Sequence, residues 1–230
     1  NQYVLDMTRK EVRDYLFETM SGVLHSANIA YVKWDFNRNL TEAASPALPP
    51  ERRKETGHRY VLGLYDLLER LTSAFPQVLF EGCSGGGGRF DPAMLYYSPQ
   101  IWTSDDSDAI ERCRIQYGTS FVYPPSSISA HVSAVPNHQT GRVTDFSTRG
   151  NVAMAGAFGY ELDLTKLTVA EKELVKQQVA QYHAYAPLVQ DGDFYRLISP
   201  FEDENRCAWM SVSPDRSEAL VTFVVPKTKV

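Results

Sequence analysis

The stretch CSGGGGRFDPAMLYYSPQIWTSDDSDAIERCRIQYGTS, residues 83–120, decides the fold. A turn of four glycines is followed by a short apolar segment and then by three closely spaced acids: Asp105, Asp106 and Asp108. Upstream, the apolar run 29–32 leads into the segment 33–37, which contains Asp35. The two acidic sites thus follow strand-like segments about seventy residues apart. This layout is typical of a barrel enzyme whose chemistry uses two carboxylates.

Composition describes an ordinary globular protein. The chain has 230 residues, of which 43% are hydrophobic and 22% charged, so it is long enough to bury a large core. The net charge of −5 gives no electrostatic reason to expect nucleic acid or an anionic membrane as a partner. The three widely spaced cysteines fit neither a disulfide framework nor a zinc site, which favours the cytoplasm: Cys83, Cys113 and Cys207.

Targeting signals are absent from the sequence as given. No apolar run reaches the length of a transmembrane helix, and no signal peptide is present. The chain starts with Asn1 rather than Met, which suggests a piece of a longer protein.

Helical and strand-like segments alternate in the first part of the chain. Residues 8–11 have the pattern of a capping box, predicting a helix that closes near Asn28. The apolar segment 29–34 predicts a buried strand, and a polar loop then leads to a helix at 58–74. We expect four side chains of this helix to face inward: Val61, Leu64, Leu68 and Leu71. A short buried strand follows at 78–80.

The same alternation continues to about residue 185. Strands are predicted at 100–103, 128–135 and 156–162, and helices at 108–117 and 145–155. A second capping box at 168–171 opens a long helix, which we expect Pro187 to end. Alternating strands and helices of this kind imply parallel strands with right-handed crossovers.

After Gly192 the pattern changes to short alternating segments typical of antiparallel strands, at 195–199, 206–212 and 218–225. We therefore predict an α/β fold in two parts. Residues 1–190 form the later part of a catalytic (β/α)8 TIM barrel, about units 4 to 8, since an eight-unit barrel needs about 250 residues. Residues 191–230 begin an antiparallel β-sandwich domain. A complete five-stranded doubly wound sheet is the structural alternative.

Asp35 ends an apolar strand, where a carboxylate costs several kcal/mol unless it is paired or used. Lys33 lies two residues earlier, so its side chain points to the same side of the strand. A cation there keeps a carboxylate ionised, as a nucleophile requires. A structural ion pair between the two residues explains them equally well.

The glycine run and the acidic segment each allow two interpretations. Glycines 85–88 match neither a P-loop nor a dinucleotide fingerprint, so they either approach a ligand or form a tight turn. Capping of a helix explains Asp108 or Asp106, but not all three aspartates. A carboxyl crowded by others beside an aromatic ring has the environment of a general acid. Glu81, also predicted to end a strand, is a rival acid.

Together the motifs resemble the α-galactosidases of glycoside hydrolase family 36, and the bacterial cytoplasmic members best. The resemblance covers essentially the whole chain and rests on VKWDFNR (32–38), CSGGGGRFD (83–91), WTSDDSDAIERCRIQYGTS (102–120), HVSAVPNHQTGR (131–142) and TRGNVAMAGAFGYELDL (148–164). It implies a (β/α)8 barrel between an N-terminal β-sandwich and a C-terminal β domain.

The resemblance also implies residue roles. Asp35 is expected to be the nucleophile and Asp105 the acid/base of a retaining mechanism, with Asp106 as the less favoured acid/base. The expected sugar-binding residues are Lys33, Trp34, Asn37, Cys83, Gly85, Gly86 and Asp106. No metal or other cofactor is implied. The expected substrates are α-1,6-galactosides such as melibiose, raffinose and stachyose, and the full-length protein is expected to be a homo-oligomer, a tetramer.

Three alternatives stay open. Related plant members of the family transfer galactosyl groups instead, so the chain could belong to a galactosyl-transferring relative similar to raffinose and stachyose synthases. It could also be a sugar-binding fragment without turnover, or a phosphate-binding barrel that uses the glycine turn. In the family, part of the galactose clamp comes from the first barrel strands, so this 230-residue piece alone is expected to have little or no activity.

Overall fold

The structure is a computed structural model that describes residues 3–41 and 43–226. Its helices are α1 Lys10–Ser26, α2 Thr56–Ala74, α3 Pro92–Tyr97, α4 Ala109–Thr119, α5 Phe146–Ala153 and α6 Val169–Asp191. Its strands are β1 Tyr31–Asp35, β2 Leu79–Cys83, β3 Gln100–Trp102, β4 Ile128–Ser133, β5 Ala157–Glu161, β6 Asp193–Ile198, β7 Cys207–Val212 and β8 Ala219–Val224. Short 3-10 helices occupy Pro50–Glu55, Pro125–Ser127 and Leu164–Lys166.

The chain divides into two compact units. The first runs to Ser84 and includes Asp91–Pro99, while the second contains Gly85–Phe90 and continues from Gln100. Strands β1 and β2 belong to the first unit, and the remaining strands to the second. The predicted boundary between barrel and β domain near residue 190 is a different division and stays a prediction.

In the first unit, β1 and β2 pair in parallel, and helices α1 and α2 pack together beside them. The α2 face centres on Leu67 and Leu71, which are fully buried, together with Leu64 and Leu68. Val61 was wrongly predicted to face inward and is 38% exposed. The buried stripe instead begins with Thr56 and Tyr60, because residues three or four apart share a helical face.

Two other predictions for this unit are corrected. The Thr8 hydroxyl donates to Asp6 Oδ1 at 2.6 Å rather than capping a helix, so α1 begins at Lys10 without a side-chain cap. β1 is partly exposed rather than buried, with Tyr31 43% exposed. Val32 and Trp34 pack on the core, while the alternate residues of the strand point away from it.

In the second unit, β4 pairs in parallel with β3 and with β5. Residues of β4 and α5 form a buried cluster: Ala130, Val132, Phe146 and Ala153. The antiparallel sheet β6-β7-β8 agrees with the prediction for the end of the chain. Its inner face joins α4 and α5 in a second cluster, which brings together two cysteines that are distant in sequence, Cys113 and Cys207. The predicted α/β class with a terminal antiparallel sheet is thus confirmed.

The long helix α6 begins with the predicted capping box. Thr168 Oγ1 accepts from the Glu171 amide at 3.2 Å, and Glu171 accepts from the Thr168 amide at 2.9 Å. Pro187 does not end the helix, which continues to Asp191. A proline removes one helical hydrogen bond, and the turn beyond it is held by two buried side chains, Leu188 and Val189. No helix in the described ranges is long and apolar enough to cross a membrane.

Candidate active site

Asp35 lies at the carboxyl end of β1, as the sequence predicts. The register of the parallel pair sets Asp35 opposite Cys83, the last residue of β2, and Lys33 opposite Glu81. Since every second residue of a strand faces the same side, these four side chains share one face of the strand pair. The first unit therefore places these four candidate residues on one face of two adjacent strands, with Asp35 and Cys83 at the carboxyl ends.

Lys33 has an ion-pair partner on the neighbouring strand. Its Nζ atom lies 3.5 Å from Oε1 of Glu81, which is fully buried. The hydroxyl of Tyr31 also donates to Glu81. Glu81 lies inside β2 rather than at its end. This buried, paired setting makes Glu81 a support for Lys33 and a poor candidate for an acid that reaches substrate.

The Asp35 carboxylate is exposed. Asn37 Nδ2 donates to its Oδ2 at 2.9 Å. A cavity of about 470 Å³ is lined by Asp35 and its neighbours in the chain, Trp34, Phe36 and Asn37. Trp34 also packs on the core, with its ring 6.4 Å from that of Phe80. The structure thus gives Asp35 an open approach and a hydrogen-bond donor, Asn37.

The chain beyond β1 is tied to the end of β2. The Phe36 amide donates to the Cys83 carbonyl at 3.2 Å, and the Ser84 hydroxyl donates to the Phe36 carbonyl at 3.0 Å. These bonds continue the strand pairing by one residue past Asp35. The backbone that carries the carboxylate is consequently fixed on both sides of Asp35.

The glycine run makes a tight turn against the acidic segment. Gly85 and Gly86 have φ values of 55° and 77°, which favour glycine. A Cβ at Gly86 would lie 2.6 Å from the Cα of Ser104, and one at Gly87 would lie 2.9 Å from the carbonyl oxygen of Thr103. This backbone contact explains the glycines without a ligand, so the sugar contacts of Gly85 and Gly86 stay predictions.

Asp106 and Asp108 accept hydrogen bonds from backbone amides near the start of α4. Asp108 caps α4, accepting from the amides of Ile110 at 2.8 Å and Glu111 at 3.2 Å. Asp106 accepts from the Asp108 amide at 3.0 Å and is half-buried. Asp105 is exposed and lies three residues beyond the end of β3. The three aspartates therefore differ in exposure, and Asp105 is the most exposed of them.

Asp108 is further enclosed by the loop that follows β4. Thr140 donates to its Oδ2 at 2.6 Å, and Arg142 forms an ion pair with it. Burial alone would raise the pKa of Asp108, but the bonds from Thr140, from the two α4 amides and from Arg142 outweigh it. The pKa of Asp108 is lowered as a result, so this residue stays ionised and structural.

The sequence did not single out two side chains that contact the backbone around Asp105. Gln139 donates to the Asp105 carbonyl oxygen. Arg112, which is buried, donates to the Ser104 carbonyl at 3.2 Å and stacks 4.4 Å from the Trp102 ring. A glutamine in a loop and an arginine in a helix carry no sequence signal of this kind, because their partners come from other elements.

Comparison with known proteins gives consistent matches. The Melibiase family matches residues 1–192. Alpha-galactosidase AgaA of Geobacillus stearothermophilus is 65% identical over 223 residues, covering 97% of this chain and 30% of that protein. Alpha-galactosidase 1 of Pediococcus pentosaceus is 58% identical over 221 residues, covering 96% of this chain and again 30% of the relative. The chain thus spans about 30% of the length of these curated relatives.

Comparison with solved structures gives matches of the same kind. The crystal structure of the GH36 alpha-galactosidase AgaA from Geobacillus stearothermophilus superposes with a TM-score of 0.93 at 65% identity, over 97% of this chain and 31% of that one. One variant of that enzyme has an aspartate replaced by asparagine and holds raffinose. Another has an aspartate replaced by alanine and holds stachyose. The two replaced aspartates are 70 positions apart in that enzyme.

Proposed function

Because the chain belongs to the Melibiase family, and within it to the α-galactosidases of glycoside hydrolase family 36, we propose that it carries both catalytic carboxylates of a retaining α-galactosidase. Asp35 is the nucleophile and Asp105 the acid/base. The observation that carries this assignment is their spacing of 70 residues, which equals the spacing of the two aspartates replaced in the substrate-bound AgaA variants. Removing a catalytic carboxylate is what lets an intact substrate stay bound.

The proposed reaction is a double displacement. The Asp35 carboxylate attacks the anomeric carbon while Asp105 donates its proton to the departing glycosidic oxygen, which leaves a β-galactosyl ester on Asp35. Asp105 then removes a proton from water, and the water oxygen attacks the same carbon and releases Asp35. Galactose leaves with its α configuration retained.

Local geometry supports these roles. The exposed Asp35 borders an open cavity and accepts a hydrogen bond from Asn37. Asp105 is exposed, whereas Asp106 is half-buried. The remaining residues proposed to contact the sugar are Lys33, Trp34, Asn37, Cys83, Gly85, Gly86 and Asp106.

Relatives suggest the substrates. AgaA variants hold raffinose and stachyose, both of which carry a terminal α-1,6-linked galactose. We propose the same class for this protein, with melibiose as the smallest member. A homo-oligomeric, tetrameric protein in the cytoplasm also remains part of the proposal.

The test is a pair of substitutions in the full-length protein, Asp35→Ala and Asp105→Ala, with Asp106→Ala as the matched control. We expect each of the first two to lower kcat/KM for raffinose by at least about 10³-fold, and the control much less. NMR of the first-formed sugar should show α-galactose. Full turnover by Asp35→Ala would refute the assignment, and a galactosylated acceptor in place of free galactose would reveal a transferase.

A further inference from the structure

We propose that Gln139 is a positioning residue for Asp105, and that its side-chain amide fixes the backbone on which the acid/base is carried. The inference rests on the proposed function, because it matters to catalysis only if Asp105 transfers the proton. Gln139 lies in the loop after β4, in the same compact unit as the acidic segment.

One amide group of Gln139 bonds to both ends of the segment that starts at Asp105. The Gln139 Nε2 atom donates to the Asp105 carbonyl oxygen, and Oε1 accepts from the Ser107 amide at 3.1 Å. A carbonyl can only accept and a backbone amide can only donate, so the two partners determine which way the amide faces. A carboxylate cannot make both bonds, since it lacks the donor.

Gln139 is itself held in place by a buried residue. Its backbone amide donates to Oδ1 of Asn137 at 2.9 Å, and Asn137 is 4% exposed. The other end of the Asn137 side chain donates to Oγ of Ser107 at 3.1 Å. The hydroxyl of Ser133, at the end of β4, donates to the Ser107 carbonyl at 3.0 Å. The support thus extends from a strand end through Asn137 to Gln139.

The backbone before Asp105 has separate supports. Gly86 packs against the Cα of Ser104, and Arg112 donates to the Ser104 carbonyl at 3.2 Å. Asp108, three residues beyond Asp105, is anchored by α4 and by the same loop through Thr140. Between these anchors, Gln139 holds the peptide that directly follows the Asp105 Cα. The Asp106 amide of the same peptide donates to Oγ of Ser104 at 3.1 Å, so loss of Gln139 would remove one support of this peptide and loosen the backbone at the position that aims the carboxylate.

A misaimed general acid has a characteristic kinetic effect. Proton donation requires the acid within hydrogen-bond reach of the leaving oxygen, and a displacement of about 1 Å can cost about 10²-fold in rate. A sugar leaving group needs that proton, whereas p-nitrophenolate leaves readily without it. Loosening Asp105 should therefore slow cleavage of raffinose far more than cleavage of p-nitrophenyl α-galactoside.

The experiment compares Gln139→Ala with wild type in the full-length protein on these two substrates. We expect kcat/KM for raffinose to fall by about 10–10²-fold, with a several-fold smaller loss on the aryl galactoside and an unchanged thermal midpoint. Gln139→Glu should behave like the alanine variant, because it keeps the acceptor and removes the donor. Gln177→Ala, at an exposed position of α6, is the matched control and should change neither rate.

Asp105→Ala measured alongside separates the two proposals. In one outcome, Asp105→Ala loses activity on raffinose but not on the aryl galactoside. If Gln139→Ala then loses no activity, or loses activity equally on both substrates, the positioning role is wrong and the proposed function stands. If Asp105→Ala cleaves raffinose normally, the proposed function fails and the role of Gln139 falls with it. The inference stands if both variants share the selective loss on raffinose.

Discussion

Asp108 is the most enclosed carboxylate of the acidic segment, with 1% of its side chain exposed. Its neighbours Asp105 and Asp106 have the same chemistry but different partners. Helix amides, Thr140 and Arg142 surround Asp108, so its charge stabilises the fold. Three residues of sequence thus separate a structural acid, Asp108, from a candidate catalytic acid, Asp105.

This enclosure predicts how stability depends on pH. The pKa of Asp108 is lowered from its ordinary value of 3.8 in the folded protein. A lowered folded-state pKa stabilises the protein above the unfolded value, and this contribution disappears as the pH falls through the folded value. We expect Asp108→Asn to reduce the free energy of unfolding at pH 7 by about 1–3 kcal/mol, because it removes charged hydrogen bonds.

Urea unfolding at a series of pH values checks this. The difference in free energy of unfolding between Asp108→Asn and wild type should narrow as the pH drops below about 4. Asp193→Asn, an exposed substitution in β6, is the control and should give no such trend. A gap of constant size at every pH would show that the charge of Asp108 contributes nothing.

At the scale of elements, two similar sequence motifs had different outcomes. The capping box of Thr168 forms as predicted, with hydrogen bonds in both directions between Thr168 and Glu171. The same pattern at Thr8 fails, since Asp6 and Ser45 bond to its hydroxyl. A local motif predicts a helix start only when no nearby or distant group competes for the same atoms.

Helix packing offers a matched pair of glycine substitutions. A Cβ at Gly63 of α2 would lie 2.0 Å from the Met7 carbonyl oxygen, whereas one at Gly22 of α1 would meet nothing within 4 Å. We expect Gly63→Ala to destabilise the protein by about 1–3 kcal/mol through overpacking. Gly22→Ala should stabilise it by about 0.5–1 kcal/mol, because alanine favours the helix.

Thermal unfolding of both variants by circular dichroism is the measurement. A stabilising effect of Gly63→Ala would mean that the segment around Met7 can move away from α2 at no cost. Destabilisation by Gly22→Ala would mean instead that the outer face of α1 packs against something that the described residues do not include.

At the scale of the whole molecule, the strand ends that carry Asp35 and Asp105 could be predicted from sequence, and so could the order of strands and helices apart from the short helix α3, which was missed. Hydrophobic periodicity and the rule that parallel strands present their carboxyl ends together suffice for this. The partners of these residues could not be predicted. Glu81 beside Lys33 depends on strand register, and Gln139 beside Asp105 depends on how two loops meet.

The share of its relatives that this chain covers leads to a prediction about the activity of residues 1–230 expressed alone. The chain spans about 30% of its curated relatives, so it supplies the proposed carboxylates without most of the protein around them. Residues 1–230 expressed alone should cleave p-nitrophenyl α-galactoside with a kcat/KM at least about 10²-fold below that of the full-length protein. Circular dichroism should establish that the piece is folded. Comparable turnover by the folded piece would contradict the prediction.

The contact between the acidic segment and residues 137–142 also limits how this protein can be recombined with its relatives. Asp105 and Gln139 are 34 positions apart in sequence but joined by a hydrogen bond. A chimaera with its crossover between them would combine an acidic segment from one parent with the loop at residues 137–142 from another. Directed-evolution libraries built by shuffling should therefore keep residues 104–142 together as a single block.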